Sequence, residues 1–257
     1  MLEMLQSDPV GFFTYMLYRM PAVLAAIVLH ECAHGYAAYR AGDPTAKLMG
    51  RLSLNPLEHL DILGTLCLFF FGFGWAKPVP VNPNNFRRGW KDDLVVSLAG
   101  VTVNFCLFLI FTLLSVLVAR FLYVAAVWEN GTVRSMLLFS KNAFFLQLFP
   151  QYSEALLPIL RAPWLLHFQR LILHFCMINL GLALFNLLPI PPLDGYHVVN
   201  DIFFKGRLNL AGRWFQIFQI ALILLMFRSD FIGHLVSNGI DWVQALVLNA
   251  ILAVMGV

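Results

Sequence analysis

Residues 21–41 read PAVLAAIVLHECAHGYAAYRA. How this stretch is solvated decides the fold. Only His30, Glu31, His34 and Arg40 are strongly polar in it. As a helix it covers about 30 Å, the thickness of a bilayer's hydrocarbon core. Pro21 sits where a proline suits the first turn of a new helix. The rest of the chain agrees. Of 257 residues, 60% are hydrophobic and 12% charged, against about 25% charged in a typical soluble domain. Mean hydropathy is +0.76. A water-soluble globule has no place to hide that much apolar surface. Intrinsic disorder, a nucleic-acid-binding module and a small secreted scaffold are excluded, which leaves an all-α polytopic membrane protein. The 24 phenylalanines suit lipid contact and interfacial belts.

On the N-terminal side, residues 10–18 are apolar and stop at Arg19, either continuing the same helix or lying in the interface. On the other side, a polar stretch runs from Gly42 to Asp61. Ile62 to Trp75 is then apolar over about 14 residues, short for a crossing. Lys77-Pro-Val-Pro-Val-Asn-Pro83 reads as extended chain, because each proline forbids helix and biases its predecessor away from it. Leu94–Ala119 is a long transmembrane helix, and residues 120–163 are mixed. Trp164–Leu188 is apolar but holds His167, Arg170, His174, Asn179 and Asn186. Phe215–Phe227 and Phe231–Val257 complete the apolar set. The expectation is about five to six transmembrane helices, a short re-entrant segment and a small extended or β element after the first full crossing.

The basic stretches 40–51, 77–91 and 205–213 belong on the cytoplasmic side. All three reach that side only if 62–75 dips in and returns. Helix 21–41 then runs inward, 94–119 outward and 164–188 inward, with two crossings to follow. The net charge of +3 reflects these loops and not a nucleic-acid footprint. Cys32, Cys67, Cys106 and Cys176 lie in apolar segments without a CxxC pair, so no disulfide framework or cysteine zinc site is indicated. Glu3 and Asp8 replace the basic start of a signal peptide, and no cleavable one is expected.

The chemistry starts at His30-Glu31-Cys32-Ala33-His34. Positions i and i+4 lie on one helix face. Two imidazoles there suit one zinc, and the neighbouring Glu31 suits general-base work on a zinc-activated water. Ionisable groups inside a membrane are costly and call for a functional reason; the blander alternative is a hydrogen-bonded polar cluster. Cys32 lies about 200° around the helix from His30 and points away. A catalytic zinc wants a third protein ligand. His59, Asp61, Asp93, His174, Asp194 and His197 are the candidates. Asp194 is best placed. Asn186-Leu-Leu-Pro-Ile-Pro-Pro-Leu-Asp-Gly195 breaks a membrane helix with three prolines, and such a break is tolerated at depth only where it is buried in protein or lines a wet cavity. An ordinary proline-glycine stop at the membrane surface is the alternative reading.

His30-Glu-Cys-Ala-His34 followed by Asn186-x-x-Pro-x-Pro-x-Leu-Asp-Gly195 resembles the site-2 protease family of intramembrane zinc metalloproteases, in its compact form without a PDZ domain. Gly50-Arg-Leu-Ser-Leu-Asn-Pro56, Gly74-Trp-Ala-Lys-Pro-Val-Pro-Val-Asn-Pro83 and Ala99-Gly-Val-Thr-Val-Asn104 also match. The resemblance covers roughly residues 21–200. It implies that His30, His34 and Asp194 ligate one Zn2+ and that Glu31 is the base. It also implies that residues 1–257 form a single integral-membrane metalloprotease domain in a prokaryotic inner membrane. The partners are the lipid bilayer and a membrane-spanning protein substrate, cut near the cytoplasmic face. The re-entrant segment and residues 76–84 would shape substrate entry, the latter by pairing with an unwound substrate strand. Val101 stands where relatives often carry proline, and Tyr196-His197 where many carry Gly-Arg; His197 reads as interfacial. Asn104 and Asn186 are expected to hydrogen-bond between helices, with facing the site as a second reading for Asn186, and Arg170 and His174 to be packed or snorkelling.

Two other classes compete. A zinc transporter also places His-Glu-x-x-His on a membrane helix, but needs a partner helix rich in His, Asn and Asp. Helix 94–119 offers Ser97, Thr102, Asn104, Thr112 and Ser115. A non-proteolytic scaffold with a retained metal site is the other, and the intact ligands and base argue against it.

Overall fold

In the computed structural model, residues 2–71, 74–207 and 230–256 are described. A short helix α1 (Leu2–Ser7) precedes α2, which runs from Pro9 to Ala41. Asp8 caps α2 by accepting the Gly11 N–H at 2.9 Å, and Pro9 occupies a first-turn position where its missing N–H costs nothing. Gly42, at φ 113°, ends the helix in a left-handed conformation that a side chain would strain. Pro21 therefore lies inside α2. Residues 10–18 and 21–41 are one continuous helix of 33 residues.

The remaining long helices are α5 (Trp90–Leu122), α10 (Leu165–Asn186) and α12 (Asp230–Val254). Among the described residues four helices are long and apolar enough to cross a membrane: Pro9–Ala41, Trp90–Leu122, Leu165–Asn186 and Gly233–Val254. The chain is thus an all-α polytopic membrane protein. The further apolar stretch Phe215–Phe227 lies outside the described residues.

Antiparallel α2 and α5 meet where the Arg87 N–H bonds the Ala41 carbonyl at 3.1 Å. Helix α10 starts at the opposite end, where Tyr18 Oη lies 2.6 Å from His167 Nδ1. Helices α2 and α10 therefore run one way and α5 the other. Small side chains set the contact. Ala22, Ala26, His30, His34 and Ala38 follow at intervals of four on α2, the alanines fully buried. Val96, Gly100, Asn104, Phe108 and Thr112 do the same on α5. Two i±4 ridges interlock in this way, and small residues let membrane helices approach closely.

Between α2 and α5 come α3 (Thr45–Leu48) and α4 (Ile62–Phe71). Helix α4 has 10 residues, about 15 Å, half a crossing. Its two flanks meet: Leu60 and Ala76 form an antiparallel bridge, and the Lys77 N–H donates to the His59 carbonyl at 2.8 Å. Gly64 and Gly74 allow this, because a methyl on either would strike the opposing backbone. The segment leaves and re-enters the same end of the molecule. The expected small extended or β element is the extended run over 77–82 together with that isolated bridge, with no strand among the described residues. Pro78, Pro80 and Pro83 remove the amides a ladder would need.

At the far end, four short helices, α6 (Ala125–Glu129), α7 (Thr132–Leu137), α8 (Asn142–Leu148) and α9 (Ser153–Leu156), fold over α5 and α10. Val133, Leu137, Phe144, Leu148 and Leu156 fill one core with Phe108, Leu173 and Leu180. The mixed stretch 120–163 is this cap, tied down by the Arg161 N–H on the Leu122 carbonyl at 2.7 Å.

Candidate metal centre

His30 and His34 project from the ridge of α2 that faces α5, one helical turn apart. Their Nε2 atoms lie 3.0 Å from each other. The third group arrives from beyond a broken helix. Helix α10 stops at Asn186, and the chain turns through Pro189–Leu193 before α11 (Asp194–Phe204) begins. Gly195 packs on the Leu187 and Leu188 carbonyls, leaving no room for a side chain. This close turn brings Asp194, the first residue of α11, back against α2. Its Oδ2 lies 3.3 Å from both imidazole Nε2 atoms.

Three lone-pair donors thus converge at one point. His34 Nδ1 lies 2.7 Å from the Val96 carbonyl. That bond places the ring proton on Nδ1 and leaves Nε2 to a metal, as partners around zinc-bound histidines do. His30 is buried and its Nδ1 has no hydrogen-bond partner among the described residues. Two nitrogens and one carboxylate oxygen with a fourth position open is the donor set of catalytic zinc. The residues present fit that ion. Glu31 lies beside them, its Oε2 accepting the Val79 N–H at 2.8 Å.

A family model, peptidase family M50, matches residues 18–227. The chain belongs to peptidase family M50. It is 34% identical over 243 residues to a Bacillus subtilis (strain 168) protein named "Putative zinc metalloprotease YwhC", covering 91% of this chain and 94% of that one. No solved structure matches. The M50 assignment and the apolar helices together make this a multi-pass membrane protein of a zinc metalloprotease family, seated in the lipid bilayer.

Of the six candidates for a third zinc ligand in this M50 chain, only Asp194 reaches the histidine pair; the other five lie elsewhere. His59 is fully buried, with Nε2 on the Ser53 carbonyl at 2.7 Å. Asp61 caps α4 through the Gly64 N–H. His174 packs edge-on to Tyr15. Asp93 and His197 face each other at 3.9 Å, which pairs the half-exposed His197 with α5. Cys32 points away from the centre, its Sγ on the Ser53 carbonyl. Arg170 is packed, with Nε on the Gln147 carbonyl at 2.6 Å. Among the described residues, the interhelical bonds expected of two asparagines are not formed. Asn186 donates to Leu182 on its own helix, and the buried Asn104 amide has no partner among the described residues. At Asn186 the carbonyl four residues back on the same helix satisfies the amide in place of a neighbouring helix.

Sequence reasoning missed Gly100. A methyl there would sit 2.5 Å from His34 Nε2 and 2.6 Å from His30 Cε1. The backbone of α5 forms one wall of this M50 centre, which is what the small residue in Ala99-Gly-Val-Thr-Val-Asn104 provides. Gly100→Ala is expected to lower zinc affinity about 10–100-fold by pushing the imidazoles apart. Metal analysis after dialysis against a graded chelator checks it, and wild-type retention would refute the wall.

Helix α11 carries a second acidic position. Asp201 is fully buried, and both carboxylate oxygens lack hydrogen-bond partners among the described residues. Burial, helped by the charge of Asp93 and opposed by His197, pushes its carboxyl up to about 6. The ion pair with Asp93 raises His197 above the usual histidine range. An acid raised on folding contributes stability at low pH and loses it as pH rises through the folded value. Asp201→Asn is therefore expected to melt above wild type at about pH 8 and level with it at about pH 4. A difference in Tm that does not change with pH would refute this.

Proposed function

We propose that this protein is an intramembrane zinc endopeptidase, one integral-membrane domain over residues 1–257. It hydrolyses peptide bonds in transmembrane segments of protein substrates near the cytoplasmic face of a prokaryotic inner membrane. The observation that carries the reading is the convergence of His30, His34 and Asp194 within 3.3 Å, with Glu31 on the same helix. In this reading the three residues hold one zinc. When bound, the ion supplies a Lewis acid for the scissile carbonyl and lowers the pKa of water.

The chain's own residues supply the rest. Glu31 takes a proton as water attacks the carbonyl carbon, and returns it to the amine nitrogen as the C–N bond breaks. Val96 holds the His34 ring in the tautomer that offers Nε2. Gly100 lets α5 close one side of the centre. A substrate helix must unwind locally, because its carbonyls are otherwise bonded within the helix. The extended segment beside the centre suits a strand. Among the described residues, the Val81 N–H and the Val79 carbonyl have no hydrogen-bond partner. The basic residues Arg40, Arg51, Lys77, Arg87 and Arg88 gather at the end of the bundle that holds the site, which supports a cytoplasmic placement.

The test is reconstitution in proteoliposomes with a single-pass membrane substrate carrying helix-weakening Gly or Asn residues. Cleavage within the membrane segment is expected. It should stop on chelation and return with added Zn2+, while a zinc dye inside the vesicles stays dark. Zinc flux without cleavage would overturn the reading in favour of transport.

A further inference from the structure

We propose that Arg51 and Asp43 are positioning residues for Glu31, acting through the backbone amide of Val79. The inference rests on the reading of Glu31 as the base. Glu31 Oε2 accepts the Val79 N–H at 2.8 Å. One carboxylate oxygen is thereby held by a main-chain donor, and Oε1 is the oxygen assigned to the reacting water. A side chain on a membrane helix is steadied this way only if the donor itself cannot move.

The segment around Val79 is clamped on both sides. Before it, Arg51 Nη2 donates to the Lys77 carbonyl at 2.8 Å and to the Pro78 carbonyl at 3.2 Å. The Lys77 N–H is held by the His59 carbonyl. After it, Asp43 accepts the Asn82 N–H through Oδ2 and the Asn85 side-chain amide through Oδ1, each at 2.7 Å. Thr45, the first residue of α3, donates its backbone N–H and its hydroxyl to the same carboxylate. Pro78 and Pro80 stiffen the two residues flanking Val79. The Val79 side chain lies against Gly35, where an added methyl would come within 3.2 Å of Cγ1.

Arg51 and Asp43 are both buried, at 7% and 0% exposure. Neither forms an ion pair among the described residues, and their side chains bond groups within 77–85 and Thr45. Burying a charge is costly unless its hydrogen bonds return the loss. Here those bonds fix one short strap, and the strap fixes Glu31. Burial shifts the Asp43 carboxyl up, but the Asn82, Thr45 and Asn85 donors outweigh it and hold the group below the usual carboxylate range. That places the charged form of Asp43 in this clamp at neutral pH.

Two measurements test the proposal. The first is hydrogen exchange on the whole protein in detergent or nanodiscs. Between Lys77 and Pro83 the only backbone N–H groups belong to Lys77, Val79, Val81 and Asn82. In Glu31→Ala the Val79 amide is expected to exchange faster while Lys77 and Asn82 keep their protection. In Arg51→Ala the Val79 amide is released as well. Equal exchange at Val79 in wild type and Glu31→Ala overturns the proposal. This arm needs no peptidase activity, so it stands if the functional reading fails.

The second measurement is kinetic. Val79→Pro deletes the N–H, and Arg51→Ala frees the strap. Each is expected to keep its zinc while kcat falls about 100-fold, the effect of misplacing a reacting group by about 1 Å, and by more than any rise in KM from the loosened strand edge. The fall for Val79→Ala, which keeps the hydrogen bond, is expected to be about tenfold smaller. Arg51→Lys, with one donor for the two carbonyls, should recover part of the loss. A rise in KM at unchanged kcat would make the strap a substrate-docking element only, and loss of zinc would make it structural. Either result overturns the positioning role.

Discussion

Glu31→Gln is expected to keep one zinc per chain and lose about 10²–10⁴ in kcat, the usual worth of a positioned general base. The argument is local. Gln has the shape of Glu, so its side-chain oxygen still accepts the Val79 N–H that Glu31 Oε2 accepts at 2.8 Å. The neighbouring His30 and His34 keep their ridge on α2. What the amide cannot do is accept the proton of the attacking water. A variant that binds substrate without turning it over also becomes a trap. Mass spectrometry of what it retains in native membranes would name the substrate class. Normal cleavage by Glu31→Gln would refute the role assigned to Glu31.

Asp194→Ala is expected to empty the centre. Its Oδ2 lies 3.3 Å from both imidazoles, and no other candidate acid or histidine among the described residues stands in reach of the pair. Losing a partner outside the ligand shell already costs about 10–100-fold in metal affinity. Losing a ligand outright should cost more, so purified Asp194→Ala should contain little zinc and cleave nothing. The helices should stay formed, because Asp194 opens α11 and makes no bond that holds α2 to α5. Metal analysis and far-UV circular dichroism check both halves. Full zinc content in this variant would refute the three-residue centre.

The membrane class was legible because it depends on composition summed over long stretches. The histidine pair was legible because a four-residue interval has one meaning on a helix, and α2 does run through it. The third group was legible as one favoured candidate among six, Asp194, on the three prolines that precede it and on the family resemblance. Asp194 lies 160 residues beyond His34 in the chain, and the prolines that mark the break at Pro189–Leu193 do not say how near the chain returns to α2. The small extended or β element took its extended form for a related reason. Extended dihedrals follow from the prolines, but a ladder needs amides, and the same prolines delete them. Gly100 carried a weak signal as a small residue in a helix. The Val79 amide carried none, since every non-proline residue has one.

Local chemistry along the chain was therefore enough to establish solvation in lipid, the four described long apolar helices and the pairing of His30 with His34, because each depends on residues a few positions apart. Where the broken end of α10 returns to α2, how near α5 comes at Gly100 and which backbone amide restrains Glu31 were settled by packing alone. Those are distances between segments far apart in the chain, and they are fixed by the side-chain volumes and proline-set turns that have to fit together at once.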